Sequence, residues 1–530
     1  MKVFCWACLL ILGTMLHTAC STARAQTIDQ KVDALLSKMT LEEKVGQLTQ
    51  VTIQAVSSQA ESVNGHHQLD MDKLRRAIVD YHVGSILNVY DAAFPVAHWQ
   101  EVITTIQNVA LKQTRLGIPI LYGIDAVHGM NYAKEAVLFP QALAMAATRN
   151  PDLEEEIQRV TAHQMRACGI PWNFYPVLGV GRTPLWPRLF ETFGEDVYLA
   201  SQMGAAAVRG LQGETAPGQP LAGDRVAACA KHYIGYSFPL SGKDRTPAWI
   251  PRRQLLELFV PPFQAAIQSG VLTVMGNSGE VNGVPVHSSH ELLTELLRDK
   301  LGFSGFVVSD WEDVNRLYSR DRVVASRLDA AQTALLAGVD MSMVPYDFSF
   351  YHDILHLVRN GQLAETEVDR AVRRILRVKF QLGLFDNPYP RREFESAIDG
   401  PEVRALSRRA ARQSIVLLKN QNNLLPLTAV RRILVTGPTA NRKSVLNGGW
   451  SYTWQGREEA LYPENHPTLL SALRETFGAN RVLYTPGADF NRLQNVEEAE
   501  RLAAQVDVVV VALGEPAYCE TPGNIHDLRL

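Results

Sequence analysis

The sequence contains few cysteines, and its positive and negative charges nearly cancel. Only six cysteines occur in 530 residues, and of these only Cys168, Cys229 and Cys519 lie beyond residue 25. An odd, widely scattered set of three predicts buried thiols rather than a disulfide framework or a zinc site. Because the formal net charge is only -3, nothing in the sequence favours nucleic acid or an anionic membrane surface as a partner.

Motifs for metals and phosphates are missing as well. The sequence has no H-E-x-x-H pattern, no clustered cysteines and histidines and no calcium loop. No glycine-rich phosphate loop follows its first apolar strand-like run. We therefore expect no metal site and no cofactor.

The first 25 residues contain the only apolar run that is typical of a targeting segment. A lysine, a short apolar core and then small residues predict a signal peptide at residues 1–25. Two processing sites compete: Ala23-Arg24-Ala25 fits ordinary signal peptidase, whereas Leu16 to Cys20 resembles a lipoprotein box in which His17 fits poorly. We expect an exported bacterial protein, either periplasmic or held at the outer membrane by a lipid on Cys20, with no transmembrane segment.

Short apolar runs alternate with amphipathic stretches from residue 28 to about residue 385. The runs are GSILNV, IPILYGID, IPWNFYPVL, VAACAKHY, VLTVMGNS, GFVVSDW and GVDMSM. Repeated strand-then-helix order predicts parallel strands joined by crossover helices. The number of strands and the length predict a (β/α)8 TIM-like barrel over residues 28–385, with an open, doubly wound sheet as the alternative.

A second unit follows the barrel. Residues 386–405 are rich in proline, glycine and charge, and predict a linker. Residues 406–530 contain the strand-like runs RRILVTGP, RVLYTPG and VDVVVVALGE, which predict an α/β sandwich domain. Three strands make a small sheet with exposed edges, so we expect this domain to be truncated in the chain.

Polar side chains follow several of the predicted barrel strands. In a barrel of this kind the carboxyl ends of the strands converge on one mouth, where active sites lie. The residues found there are Asp125, Arg188, Lys231, His232, Asp310 and Trp311. Clustered charge is costly unless it binds something. Many hydrogen-bonding groups beside a tryptophan face suit a pyranose ring.

Seven motifs occur in a familiar order: YGIDAVHG, ETFGEDVYLA, KHYIGYS, GFVVSDW, GVDMSM, GGWSYTWQG and GEPAYCETPGN. Together they resemble glycoside hydrolase family 3, in particular its two-domain β-glucosidase and exo-glucanase branch, from about residue 28 to the end. The resemblance implies a retaining, exo-acting β-glucosidase. Such an enzyme removes terminal glucose from β-gluco-oligosaccharides through a covalent glycosyl-aspartate.

The resemblance also implies roles for individual residues. Asp310 corresponds to the nucleophile, and Glu520 to the proton donor carried by the second domain, with Glu515 as the weaker candidate. Without the resemblance, Asp310 reads as a strand cap and Glu520 as a solvated loop acid. The implied sugar-binding residues are Asp125, Arg188, Lys231, His232 and Met275, with Trp311 and Trp454 as aromatic walls.

One departure from the wider family matters for function. The N-acetylglucosaminidase branch follows its Lys-His pair with a G-H-G that supplies the acid from the barrel, whereas Lys231-His232 continues here as YIGYSFPLSG. We therefore expect the acid to come from the second domain. Two alternatives to a β-glucosidase stay open: a β-xylosidase of the same family, and an inactive, sugar-binding hydrolase-like protein.

Overall fold

The computed structural model describes residues 26–58, 67–214, 218–428 and 430–529. The predicted signal peptide at residues 1–25, including Cys20, lies outside the described residues. Within the described ranges, no helix is both long enough and apolar enough to cross a membrane.

Eight parallel strands form a nearly closed barrel in the first part of the chain. In chain order they are Thr49–Thr52, Ser85–Leu87, Leu121–Ile124, Trp172–Asn173, Ala227–Tyr233, Thr273–Gly276, Phe306–Val308 and Ser342–Met343. Each of the first six pairs with the next along the chain, and the eighth pairs with the first. A bridge between Val308 and Met341 joins the seventh strand to the start of the eighth. The predicted α/β barrel is confirmed, and the doubly wound alternative is wrong because the strand order never reverses.

The first strand, Thr49–Thr52, is absent from the predicted apolar runs, which contain the other seven. Its polar side chains are buried and donate hydrogen bonds inside the protein: Gln50 Nε2 donates to Ser85 Oγ at 2.7 Å, and Thr52 Oγ1 donates to the carbonyl of Pro345 at 2.8 Å. A strand that buries polar groups in this way lacks the apolar pattern by which strands are recognised.

Helices surround the barrel. The α-helices of this unit are Ile28–Leu36, Leu41–Gln47, Met71–Arg75, Val96–Gln113, Ala142–Ala147, Pro151–Cys168, Val197–Gln212, Arg252–Gln254, Val260–Gln268, Asp313–Ser319, Arg327–Ala337, Ser349–Arg359 and Glu365–Gln381, with π-helical segments at Arg76–Asp80, Leu255–Phe259 and Glu291–Lys300. The local sequence determines where several of these helices begin. Thr40 caps the second helix, accepting from the Glu43 backbone while the Glu43 side chain accepts from Thr40, which satisfies donors that the helix leaves unpaired.

Lys379 joins three strands at the amino-terminal end of the barrel, opposite the predicted site. Its buried ammonium donates to Gln47 Oε1 at 2.7 Å and to the carbonyls of Gly84 and Pro119 at 2.8 Å each. These three acceptors directly precede or lie close to the starts of the first, second and third strands. Contacts at this end of a barrel contribute to stability.

The second unit contains a three-stranded parallel sheet. Ile433–Thr436 lies in the centre, between Val482–Tyr484 and Val508–Val511. Its helices are Ser444–Asn447, Leu469–Phe477 and Val496–Ala503, and the helices Ser396–Asp399 and Pro401–Ser414 precede it. Helix Pro401–Ser414 packs on the barrel helices Ala142–Ala147 and Pro151–Cys168. The expected truncation and the predicted boundaries of the linker stay predictions.

Candidate active site

A cavity of about 500 Å³ opens at the carboxyl-terminal mouth of the barrel, within the size range of small-molecule sites. Its wall includes every predicted site residue: Asp125, Arg188, Lys231, His232, Met275, Asp310, Trp311, Trp454 and Glu520. The first seven are carried by the barrel, and the last two by the second unit. The weaker acid candidate, Glu515, is exposed and is not part of the cavity wall.

Lys231 and Asp125 form an ion pair within the cavity wall. Lys231 Nζ lies 2.5 Å from Asp125 Oδ1, and both side chains are buried. Burial raises the pKa of Asp125 above its ordinary value, although the charge of Lys231 opposes the rise. The pair presents a donor and acceptors to the cavity, as hydroxyl recognition requires.

Arg188 is fully buried and reaches from the barrel to the second unit. Its Nε and Nη2 donate to the two carboxylate oxygens of Glu191 at 2.8 and 2.9 Å. This paired contact fixes the guanidinium plane. The remaining Nη1 then lies 3.2 Å from Glu520 Oε1.

Asp310 ends the seventh strand and lies in a cationic setting. Its Oδ1 accepts a hydrogen bond of 2.5 Å from the backbone of Trp311 and lies 3.7 Å from Arg245 Nη2. Burial would raise the pKa of Asp310, but the charge of Arg245, together with that of Arg188 and the hydrogen bond from the Trp311 backbone, holds it well below its ordinary value. Asp310 is therefore ionised at neutral pH. Its Oδ2 has no hydrogen-bond partner among the described residues.

His232 faces that unpartnered oxygen, with Nε2 at 3.7 Å from Asp310 Oδ2. Burial, followed by the charge of Arg188, lowers the pKa of His232 well below its ordinary value. The imidazole is therefore neutral at neutral pH. It can give one N–H to a ligand without cancelling the charge of Asp310.

Glu520 lies on a loop of the second unit, at the opposite side of Arg245. Its Oε2 accepts a hydrogen bond of 3.1 Å from Arg245 Nη2. Burial raises the pKa of Glu520 above its ordinary value despite the nearby charges of Arg188 and Arg245. The backbone of Glu520 has φ +55°, a conformation that costs a non-glycine residue about 1–3 kcal/mol and is concentrated at functional sites.

The two carboxyl groups are close to one another. Arg245 Nη2 is 3.7 Å from Asp310 Oδ1 and 3.1 Å from Glu520 Oε2, so these oxygens lie at most about 7 Å apart. Retaining glycosidases place their carboxyls about 5–5.5 Å apart and inverting ones about 6.5–9.5 Å apart. The limit for this pair of oxygens is compatible with the retaining separation.

Arg245 was not predicted from the sequence. It lies in the loop SGKDRTPAW, far along the chain from both carboxyls, and only a charged loop after the Lys-His strand marks it. The neighbouring Asp244 accepts hydrogen bonds from Tyr236 and Thr521, at 2.6 and 3.1 Å. Because Thr521 directly follows Glu520, this barrel loop also holds the loop of the proposed acid.

The two tryptophans of GGWSYTWQG have different environments. Both line the cavity, but Trp450 is 5% exposed and packs in the hydrophobic core of the barrel, whereas Trp454 is 43% exposed. Gln455 exchanges two hydrogen bonds with the backbone of Cys519, at 3.0 and 3.2 Å. This motif therefore supports the loop that carries Glu520.

Comparison with known proteins agrees with the motifs. Residues 40–378 match the Glycosyl hydrolase family 3 N terminal domain, and residues 415–528 match the Glycosyl hydrolase family 3 C-terminal domain. The chain belongs to glycosyl hydrolase family 3. The resemblance found in the sequence is thereby confirmed, and both parts of the family 3 architecture are represented.

The relatives include proteins named as beta-glucosidases and proteins named as beta-xylosidases. The chain is 42% identical over 523 residues to the lysosomal beta glucosidase of Dictyostelium discoideum, covering 95% of this chain and 63% of that protein. It is 36% identical over 420 residues to a putative beta-xylosidase of Formosa agariphila, covering 78% of this chain and 54% of that protein. The chain thus spans about three fifths or less of the length of these curated relatives.

A solved family 3 structure has the same arrangement. The crystal structure of an exo-1,3/1,4-beta-glucanase from a Pseudoalteromonas species matches with a TM-score of 0.81 at 32% identity. The match covers 95% of this chain and 61% of that one. The likeness extends over the barrel and the second unit together.

Proposed function

We propose that this chain is a retaining, exo-acting β-glucosidase that hydrolyses terminal β-D-glucosyl residues of β-gluco-oligosaccharides. The observation that carries the proposal is the sharing of Arg245 by two buried carboxyls whose pKa values are shifted in opposite directions. One carboxyl is held ionised and the other keeps its proton to a higher pH than an ordinary glutamate, and glycoside hydrolysis uses such a difference between its two carboxyls.

In the first step, an oxygen of Asp310 attacks the anomeric carbon and forms a glycosyl ester. The bond from that carbon to the glycosidic oxygen breaks, and Glu520 gives its proton to the departing oxygen. In the second step, Glu520 takes a proton from water, whose oxygen attacks the same carbon and releases Asp310. Arg245 lies against both carboxyls throughout, so it offsets the negative charge that moves between them.

The side of the cavity that carries the charged residues is proposed to hold the terminal sugar. Asp125 and Lys231 supply acceptors and a donor, and Arg188, His232 and Met275 complete the wall. Trp311 and Trp454 border the cavity, where their faces can cover the C–H surfaces of the sugar. The similarity to an exo-1,3/1,4-beta-glucanase supports exo action.

Two measurements test the proposal: the rates of hydrolysis of several substrates, and trapping of the covalent intermediate. Nitrophenyl β-glucoside, β-xyloside, β-galactoside and N-acetyl-β-glucosaminide are compared by kcat/KM, and a 2-deoxy-2-fluoro-β-glucoside is used to trap the intermediate. We expect the highest value with the glucoside and a mass increase on the peptide that contains Asp310. Trapping on another peptide would refute the covalent role, and no turnover of any substrate would favour the inactive, sugar-binding alternative.

A β-xylosidase is the second candidate, and the putative beta-xylosidase among the relatives supports it. A xyloside lacks only the hydroxymethyl group of a glucoside, which typically changes kcat/KM by about 10–200-fold. A kcat/KM for the β-xyloside above that for the β-glucoside would select this candidate.

We also propose that the protein is exported. The support is the pattern of residues 1–25, with cleavage before Gln26 or lipidation of Cys20 as the two outcomes. Fractionation of cells that express the full chain, with metabolic labelling by a palmitate analogue, distinguishes them. Label that disappears in Cys20→Ser would identify the lipoprotein, and retention of the chain in the cytoplasm would refute export.

A further inference from the structure

Glu191 is buried behind the cavity wall and is not part of that wall. It ends the short helical turn Leu189–Glu191, which directly follows Arg188. Its two carboxylate oxygens accept the hydrogen bonds of 2.8 and 2.9 Å from the Arg188 guanidinium. Glu191 can therefore act on a bound ligand only through other side chains.

A second contact connects Glu191 to the loop of the proposed acid. Cys519 Sγ donates a hydrogen bond of 3.5 Å to Glu191 Oε1, and Glu520 is the next residue. Arg188 Nη1 reaches the same loop, at 3.2 Å from Glu520 Oε1. The carboxylate of Glu191 therefore orients both Arg188 and the residue that precedes Glu520.

The charge of Glu191 has an effect of its own. Arg188 is fully buried, and the carboxyls that pair with it in the described part of the chain are those of Glu191 and Glu520. A buried cation needs an anionic partner. If Glu191 were neutral, Glu520 would be the remaining partner. Its ionised form, which has no proton to donate, would then be favoured.

Glu191 is ionised at neutral pH. Burial would raise its pKa, but the charge of Arg188 and the hydrogen bonds from it lower that pKa below the ordinary value. Burial raises the pKa of Glu520 instead. Arg188 therefore has one permanent anionic partner and one partner that titrates.

Other titratable groups surround the two glutamates. Those facing Glu191 are Asp125, Lys231 and Cys519, and those facing Glu520 are Asp244, Arg245 and Asp310. At Glu520 the arginine lowers the pKa, whereas the two aspartates raise it. All of these groups stay in place when Glu191 is replaced. Removing only the negative charge of Glu191 therefore acts in one direction, toward a lower pKa of Glu520.

We propose that Glu191 is a positioning residue of the hydrolysis: it directs Arg188 at the acid loop and offsets the charge of Arg188, so that Glu520 is not required as the counter-ion. The inference rests on the proposed function, because it takes Glu520 as the acid. Glu191 itself contacts neither the sugar nor the reacting atoms.

Two variants separate the charge of Glu191 from its shape. Glu191→Gln keeps the length of the side chain and removes the charge, whereas Glu191→Asp keeps the charge and shortens the side chain. Both should lower kcat/KM for a β-linked glucose disaccharide by roughly 10–100-fold, because Arg188 is held less precisely. Glu195→Gln, at an exposed glutamate of the same motif, is the matched control and should keep the activity of the unchanged enzyme.

The pH profile distinguishes positioning from a purely structural role. The alkaline limb of kcat/KM reports loss of the proton of the acid. In Glu191→Gln this limb should move to lower pH by about 1 unit with the disaccharide, and in Glu191→Asp it should stay in place. A dinitrophenyl β-glucoside, which needs little protonation, should show no such shift.

A limb that stays in place in Glu191→Gln, or that moves equally in both variants, would overturn the inference. Thermal melts show whether each variant is folded. Glu191→Met, a second neutral variant of similar length, should give the same shift and replaces Glu191→Gln if that variant does not fold.

A titration that needs no turnover separates the inference from the proposed function. The pH titration of the Glu520 carboxyl is followed by carbon-13 NMR, with Glu520→Gln to identify its resonance. Its midpoint should be lower in Glu191→Gln than in the unchanged protein, and an equal or higher midpoint would overturn the inference. Failure to cleave any glycoside would instead refute the proposed function alone.

Discussion

Arg245 donates a hydrogen bond of 3.1 Å to Glu520 and so joins a loop of the barrel to the loop of the second unit that carries the proposed acid. The same nitrogen is 3.7 Å from Asp310. A single cation thus lies close to both proposed catalytic groups. Because Arg245 favours the ionised form of both carboxyls, removing its charge should raise the pKa of both.

Replacing this cation should move the pH profile upward. Arg245 lowers the pKa of both Asp310 and Glu520, so Arg245→Met should raise both. The acid limb of kcat/KM reports ionisation of the nucleophile and the alkaline limb reports loss of the acid's proton. Both limbs should therefore shift to higher pH with a disaccharide substrate. Arg253→Met, at an exposed arginine paired with Glu257, is the control, and a shift to lower pH in Arg245→Met would contradict the assignment.

Asp310→Asn should abolish turnover while glucose still binds. The amide cannot form the glycosyl ester, and loss of a nucleophile typically costs roughly 10³-fold or more in kcat. Initial rates with an aryl glucoside and calorimetry with glucose measure the two effects. Turnover close to that of the unchanged enzyme would show that another group attacks the sugar.

Glu520→Ala should affect substrates according to their leaving groups. Hydrolysis of a disaccharide should fall by roughly 10²–10⁴-fold, because an alkoxide leaves poorly without a proton. A dinitrophenyl glucoside, which needs little protonation, should be cleaved to its glycosyl-enzyme almost normally. Azide should partly restore the second step, giving a glycosyl azide that can be identified by mass.

Glu515→Ala is the matched control for that experiment. Glu515 lies only five positions before Glu520 in the same motif, but it is exposed and outside the cavity wall. Its variant should keep the activity of the unchanged enzyme on both substrates. If Glu515→Ala and not Glu520→Ala shows the dependence on the leaving group, the two assignments must be exchanged.

Lys379→Met should destabilise the barrel without changing the chemistry. The variant leaves three buried oxygens, on Gln47, Gly84 and Pro119, without their donor, at a cost of about 3 kcal/mol or more in the free energy of unfolding. Denaturant titration measures this loss, and Lys112→Met on an exposed helix end is the control. An unchanged midpoint would show that the ammonium does not hold the strand starts together.

Site residues were easier to predict from the sequence when they follow an apolar strand than when they lie in a loop. Asp125, Lys231, His232 and Asp310 follow such strands, and the barrel brings their side chains to one cavity. Arg245 carries no comparable local signal, because it acts through partners from distant segments. Arg245 and Glu520, for example, are 275 positions apart.

The hydrophobic pattern of the sequence also fails to predict the environment of individual residues where one motif has two roles. Trp450 and Trp454 occur four positions apart in one loop and both line the cavity, yet the first is also buried in the barrel core and the second is exposed. Only the docking of the second unit decides between these environments. Thr49–Thr52 was not predicted for a related reason, since the buried side chains of Gln50 and Thr52 donate hydrogen bonds to neighbouring segments.

Trp450 and Cys519 belong to the second unit but are buried in the core of the barrel. Catalysis depends on placing reacting groups to within about an ångström. An amino-acid change that shifts the docked loop on one unit therefore needs a matching change on the other to keep the acid in register. The interface therefore tolerates substitutions only when both units change together. Replacing either unit by that of a relative should fail unless these contacts are transferred with it.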